Sequence, residues 1–284
     1  QKGRYMGNSA GGLAYRDNVV PVIVQATRPG TPPNVEVQPE DVVTVDNQAT
    51  TSSRWRGNTL QGNRAFSTNE LVLTGSVARS YDGSIAVPVS DPTHFVLRSF
   101  ERRLQEAGIE TSLELVDIDD LDENLDRGSP LFVKFSRPFA EIMAVMNKES
   151  NNFYAEQVFR SYGWGGSVRG AARRTKSFLR DAGVNTHQLL IHDGSGLSRK
   201  DLVTPQAMVK LLTHMTEHEE RETFLASLPK GGERSTTLDY RLQQTDAQAK
   251  TGSLQFVRAL SGYTRRPNGN RVAFALFANN YTGP

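Results

Sequence analysis

The feature that most constrains this chain is a change of hydrophobic period part-way along it. Between about residues 19 and 89 the apolar residues come in short β-branched runs, at 19–24, 35–37, 42–45, 71–74 and 85–87. Pro29-Gly30, Asp46-Asn47 and Asp82-Gly83 punctuate them. Runs of this kind bounded by turn-forming residues predict strands, and here an all-β module. Asp91-Pro92 then offers a helix cap followed by a first-turn proline, and Phe95, Phe100, Leu104 and Ala107 recur at near-helical spacing up to Gly108. One amphipathic helix is therefore expected to close the module.

Further along, the pattern predicts a strand at 131–135 and helices at 139–147, 152–162, 168–182 and 205–218. Apolar runs at 254–263 and 271–278 flank Pro267-Asn268-Gly269-Asn270. Asn-Gly between such runs predicts a tight hairpin with both central residues at positive φ. The expected fold class is α/β in the α+β sense. Residues 1–125 read as a β-rich module with one closing helix and 126–284 as a mixed α and β domain, with the boundary inside 117–130. The acidic stretch 117–126 lacks the spaced oxygen ligands and central glycine of a calcium loop and reads as a solvated connector.

Composition narrows the chemistry. With 284 residues the chain is long enough for about two domains. No segment approaches the ~20 apolar residues of a spanning helix. Thirty-three basic against 31 acidic residues leave +2, too balanced to advertise a nucleic-acid partner. The absence of cysteine excludes disulfides, a thiolate nucleophile and sulfur-ligated metal. The chain opens on Gln1 without the layout of a signal peptide, and so reads as processed, trimmed or excerpted.

Lys250-Thr251-Gly252 is expected at the start of the hairpin's first strand. There a cation, a hydroxyl and a residue without a side chain can bind a carboxylate-terminated peptide by strand addition, unless the tripeptide is a surface turn. Ser150-Asn151-Asn152 falls between two predicted helices. A serine hydroxyl and an amide can relay a proton and hold a carbonyl, but the same residues also suit a helix cap. His192-Asp193-Gly194-Ser195 holds all three residue types of a hydrolase triad, too close together to assemble one, and reads as a structural turn at a cleft rim. His214 and His218, four apart on a predicted helix, read as a solvated face rather than a zinc site.

Taken together in this order, the two motifs are those that serine penicillin-recognising enzymes use beside a Ser-x-x-Lys nucleophile. Three longer segments extend the match: Met146-Asn147-Lys148-Glu149-Ser150-Asn151-Asn152-Phe153-Tyr154-Ala155-Glu156, His192-Asp193-Gly194-Ser195-Gly196-Leu197-Ser198-Arg199, and Ala249-Lys250-Thr251-Gly252-Ser253-Leu254. With them the chain resembles the class C low-molecular-mass penicillin-binding proteins, the D-alanyl-D-alanine carboxypeptidase/endopeptidase family. The resemblance implies a transpeptidase-like α/β domain with inserted β-rich domains, and a serine D,D-peptidase that cleaves peptidoglycan stem peptides and cross-links through an acyl-enzyme.

In that scheme Ser150 relays the proton to the leaving amine, Asn152 holds the substrate amide and Lys250 keeps the site electropositive. Thr251 bonds the terminal carboxylate, Gly252 admits the substrate backbone, and the Ser253 N–H supplies half an oxyanion hole. Leu197 and Arg199 form part of the wall that meets the stem peptide. The implied partners are stem peptides, β-lactams as inhibitors, and a missing N-terminal segment carrying the nucleophile. The implied location is extracytoplasmic, and neither metal nor organic cofactor is implied. The chain departs from the family at one point: its single Ser-x-x-Lys, Ser227-Leu228-Pro229-Lys230, falls after Ser150, where the nucleophile should precede it, and Pro229 would interrupt the helical turn. A non-catalytic relative that binds wall peptides is the alternative.

Overall fold

A computed structural model describes residues 10–38, 42–65, 68–110, 116, 129 and 132–282. The chain divides into two compact units, Gln1–Gly128 and Ser129–Pro284. The acidic connector and the expected boundary lie outside the described residues, apart from Ser129.

The first unit contains β1 (Val19–Gln25), β2 (Asn34–Val37), β3 (Thr44–Asn47), β4 (Thr50–Thr51), β5 (Gln61–Arg64), β6 (Glu70–Thr74), β7 (Ser76–Val77), β8 (Asp82–Pro88) and the helix α1 (Pro92–Glu106). They form antiparallel β2-β1-β8, mixed β3-β6-β5 and the parallel pair β4-β7. Strand alternation puts Val20, Val22 and Val24 of β1 on one face, each fully buried with Leu73, Val77 and Phe95 in one core. Pro21 is tolerated in this central strand because its missing N–H falls opposite Gln38, just past the end of β2.

Two expectations here need correction. Val42 and Val43 precede β3 rather than opening it; both are buried in the core of this unit, and the ladder with β6 begins only at Thr44, opposite Glu70. On α1, capped as expected by the Asp91 side chain on the His94 N–H, Phe95 is buried but Phe100 is 58% exposed. A step of five residues turns a helix by about 140° from the buried face.

The second unit contains α2 (Phe139–Lys148), α3 (Asn152–Tyr162), α4 (Val168–Asp181), α5 (Pro205–Met215) and α6 (Arg221–Ser227), followed by β9 (Gln248–Leu254), β10 (Val257–Arg265) and β11 (Arg271–Asn279). Side chains of Asn151, Ser167 and Thr204 cap α3, α4 and α5 by accepting from the N–H groups of Tyr154, Gly170 and Ala207. The three strands form one antiparallel sheet in the order β11-β10-β9. Tyr263 of β10 is buried against Leu212 and Leu225, and its hydroxyl donates to the Leu212 carbonyl at 2.7 Å.

Four expectations fail in this unit. Residues 132–135 form no strand, Leu131 lying outside the described residues. Phe132, Val133 and Phe135 are exposed, and among the described residues no strand lies beside them to pair their backbone. α5 ends at Met215, so His218 is not on it; both imidazoles are partly exposed and pack edge-on to Phe178. Lys250 does not start the hairpin's first strand but sits in the separate strand β9, which turns into β10 through Gln255 and Phe256. The Asn268-Gly269 turn is a five-residue loop between Arg265 and Arg271, where Gly269 alone of the pair takes positive φ.

Candidate active site

Ser150 stands in the tight connection between α2 and α3 at φ +58, a conformation disfavoured for a residue with a side chain. The surrounding bonds fix it. On one side the Asn151 N–H donates to the Met146 carbonyl, and on the other the Asn151 side chain caps α3. The end of α2 is tied to distant loops: the Asn147 amide donates to Ser227 Oγ, and Lys148 Nζ donates to Glu233 Oε1 at 2.7 Å. Burial works against the Glu233 charge, but its bonds from Lys148 and the Lys230 N–H hold the carboxyl below its ordinary value.

β9 carries the second motif opposite. Its N-terminal end is paired on both sides, with β10 and with the segment 229–231, where the Ala249 N–H donates to the Pro229 carbonyl. By strand alternation the N–H groups of Thr251 and Ser253 point the same way as that of Ala249, away from β10. Among the described residues no strand covers that edge beyond Ala249. The edge therefore offers unpaired donors to an extended ligand. Gly252 faces Ala259 so closely that an added Cβ would stand 3.3 Å from the alanine methyl.

Ser150 and Lys250 meet although 100 residues separate them: Lys250 Nζ donates to Ser150 Oγ at 2.7 Å and to the Thr251 carbonyl at 2.7 Å. Burial brings the Lys250 pKa down from 10.5 to about 8, so at neutral pH the amine is still predominantly cationic. Because the ammonium is the donor, the Ser150 hydroxyl proton is free to be given outward. Asn152 opens α3 two residues on.

The loop bearing Leu197 and Arg199 is organised by carboxylates. Asp193 accepts from the Gly196 and Ser198 N–H groups at 2.6 and 2.8 Å, and Glu156 of α3 accepts from the Gly194 N–H at 2.7 Å. At Gly194 a Cβ would stand 2.2 Å from Phe159 Cβ, so only glycine lets the loop lie this close to α3. Arg199 donates to the Gln255 carbonyl in the β9–β10 turn at 3.3 Å, while Leu197 is half-buried with its N–H on Ser195 Oγ. This loop is no triad: Asp193 and the Leu197 N–H engage Ser195 Oγ, and Asp201 holds the His192 backbone rather than its ring. Ser227 is buried at the end of α6 and donates to the Phe224 carbonyl.

Sequence reasoning did not single out Glu156, Asp201 or Glu233 as positioning groups. No local pattern could have revealed Glu156 or Glu233, whose partners lie 38 and 85 residues away. A cavity of about 690 Å³ also opens between α2 and α3, lined by Phe139, Ile142, Val145, Phe153, Tyr154 and Val158.

The profile of the D-Ala-D-Ala carboxypeptidase 3 (S13) family matches residues 5–284. A D-alanyl-D-alanine carboxypeptidase of an Actinomadura species is 31% identical over 293 residues, covering 97% of this chain and 53% of the relative. The D-alanyl-D-alanine carboxypeptidase DacB of Haemophilus influenzae is 28% identical over 225 residues, covering 75% of this chain and 46% of the relative. The chain thus spans about half the length of these curated relatives. Penicillin binding protein 4 (dacB) from Haemophilus influenzae, in a crystal structure with a β-lactam, superposes with a TM-score of 0.78 at 24% identity, covering 98% of this chain and 67% of that one. The mixed α/β fold is that of penicillin binding protein 4.

Proposed function

The chain belongs to the D-Ala-D-Ala carboxypeptidase 3 (S13) family, and on that premise we propose that it supplies the proton-relay and carboxylate-binding half of a serine D,D-peptidase. The observation that carries this reading is the 2.7 Å bond from Lys250 Nζ to Ser150 Oγ. It joins a hydroxyl that can release its proton with a half-buried cation on a strand edge suited to an extended peptide.

The substrate is a peptidoglycan stem peptide or cross-link ending in D-Ala-D-Ala, laid along β9. Its terminal carboxylate meets Thr251 and the field of Lys250, and Gly252 leaves room for its backbone. Asn152 holds the amide. A serine of a Ser-x-x-Lys segment outside this chain attacks the carbonyl as the lysine of that segment takes its hydroxyl proton, and the Ser253 N–H supplies half of the oxyanion hole. Collapse of the tetrahedral intermediate breaks the C–N bond. The leaving amine takes the Ser150 hydroxyl proton while Lys250 hydrogen-bonds the developing alkoxide, and the ammonium of the Ser-x-x-Lys segment returns a proton to Ser150. Water then releases the acyl group. The nucleophile segment seats against the groove between α2 and α3, and Leu197 and Arg199 wall the cleft at the far end of β9. This activity belongs on the extracytoplasmic side, where stem peptides are found, and β-lactams acylate the same serine.

Intact mass spectrometry of the longer protein with and without a penicillin, followed by peptide mapping, tests the reading. The expected adduct is on a serine of a Ser-x-x-Lys outside residues 1–284. No adduct, with D-Ala-D-Ala peptides still bound, would reassign the protein as a non-catalytic wall-peptide binder. An adduct on Ser227 would place the nucleophile in this chain and overturn its assignment to an outside segment.

A further inference from the structure

Positive charge in the second unit is concentrated on α4, which carries Arg169, Arg173, Arg174, Lys176 and Arg180 against one acid, Asp181. Steps of four, three and four residues separate Arg169, Arg173, Lys176 and Arg180. At 100° per residue those steps keep all four in one row about 60° wide and about 16 Å long. The helix buries a different face, where Ala171 is fully covered and Phe178 packs edge-on to His214 and His218. Arg169, Arg173 and Arg180 are exposed and Lys176 is half-buried. Among the described residues none of the four makes an ion pair. Arg174, off the row, is occupied: its guanidinium lies 4.3 Å from the centre of the Tyr162 ring and donates to the Tyr162 carbonyl. Just before α4, Trp164 is 91% exposed in a turn whose Gly165 and Gly166 both take positive φ.

Folding does not explain this arrangement. Like charges four apart, as in Arg169 with Arg173 and Lys176 with Arg180, destabilise a helix, and a cation in the first turn opposes the helix dipole. An indole left in water contributes no burial. Both features become favourable against one kind of environment, an anionic surface with an apolar layer just beneath it.

We propose that α4 and Trp164 form a docking face for an anionic lipid bilayer. A plane touches a helix along a single line, and the row of cations is that line. The four side chains meet headgroup phosphates while the amphipathic indole sits at headgroup depth. A linear polyanion would also meet a row of cations, but it offers the indole no apolar boundary. This inference does not depend on the catalytic reading.

The test is co-sedimentation of the purified protein with vesicles of phosphatidylglycerol and phosphatidylcholine in equal parts, against phosphatidylcholine alone. Binding is expected only to the anionic vesicles and should weaken with salt. Each Arg→Gln or Lys→Gln change at 169, 173, 176 and 180 should lower the partition coefficient about fivefold. Arg→Lys at 169, 173 and 180 should retain binding. Glutamine is a good helix former, and an unchanged melting temperature of the fourfold glutamine variant checks that it folds. Tryptophan emission should shift to the blue on vesicle addition, and Trp164→Phe should remove that shift. Absence of binding to anionic vesicles at low salt, or undiminished binding by the fourfold glutamine variant, would overturn the proposal. So would binding to soluble polyphosphate without binding to vesicles, which would assign the row to a linear polyanion.

Discussion

Lys250 and Asp201 show how burial tunes single groups in opposite directions. Burial lowers the Lys250 pKa to about 8, and the working form in the proposed mechanism is the cation. Penicillin acylation of the longer protein should therefore be supported below about pH 8 and fall as pH rises through it. Lys250→Met should lower the acylation rate constant by about 10²- to 10³-fold, the usual cost of removing a preorganised electrostatic group. A flat profile from pH 7 to 10 would refute this role. Asp201 is pushed up from 3.8 to about 6 by burial and by the adjoining Asp193 carboxylate. A raised folded-state pKa means the folded protein holds the proton more tightly than the unfolded chain. The associated stability is full below about pH 4 and is lost as pH rises through about 6. Asp201→Asn, neutral throughout, should gain melting temperature relative to the parent at pH 7 but not at pH 4; equal differences at both would exclude the linkage.

Helix ends and a close approach between elements set the geometry of the site. Asn151 caps α3 and sits between Ser150 and Asn152, so Asn151→Ala should cost about 1 kcal/mol of stability. It should also slow acylation beyond what that loss explains, because the positive-φ Ser150 loses the neighbour that fixes it. Comparison of the acylation rate with the urea midpoint separates the two effects. Gly194→Ala would drive a methyl into Phe159 and the Ala155 carbonyl. Overpacking of this kind costs about 1–3 kcal/mol, and here it should push the loop bearing Leu197 and Arg199 off α3. The expected signature is weaker binding of stem peptides with a smaller change in penicillin acylation. Element by element, much was legible in sequence: α3 has the predicted limits, and α1, α2 and α4 differ from theirs by a residue or a few. The capping side chains announce these helices locally. The short helix α6 and the separation of β9 from β10 were not legible, because a seven-residue helix and a two-residue turn at Gln255-Phe256 leave almost no periodic signal.

The two compact units each have a hydrophobic core of their own, one around Val22, Leu73 and Phe95 and another around Leu212, Leu225 and Tyr263. Leu73→Ala, at a fully buried position, should cost about 2–5 kcal/mol. If the cores are energetically separate, urea unfolding should show two transitions with only one displaced; a single transition shifted as a whole would show that they unfold together. The sequence by itself determined the β-rich and mixed halves, most helix limits, and the two motifs that pointed to a D,D-peptidase family, because periodicity, caps and short motifs are local properties. Tertiary structure alone decided that Lys250 reaches Ser150, that Glu156 holds the loop at Gly194 and Glu233 the end of α2, and that Ser195 and Ser227 are engaged elsewhere. Those outcomes depend on which side chains converge after the chain closes loops of tens to a hundred residues, and on how much water each site loses. Local residue order does not encode either quantity.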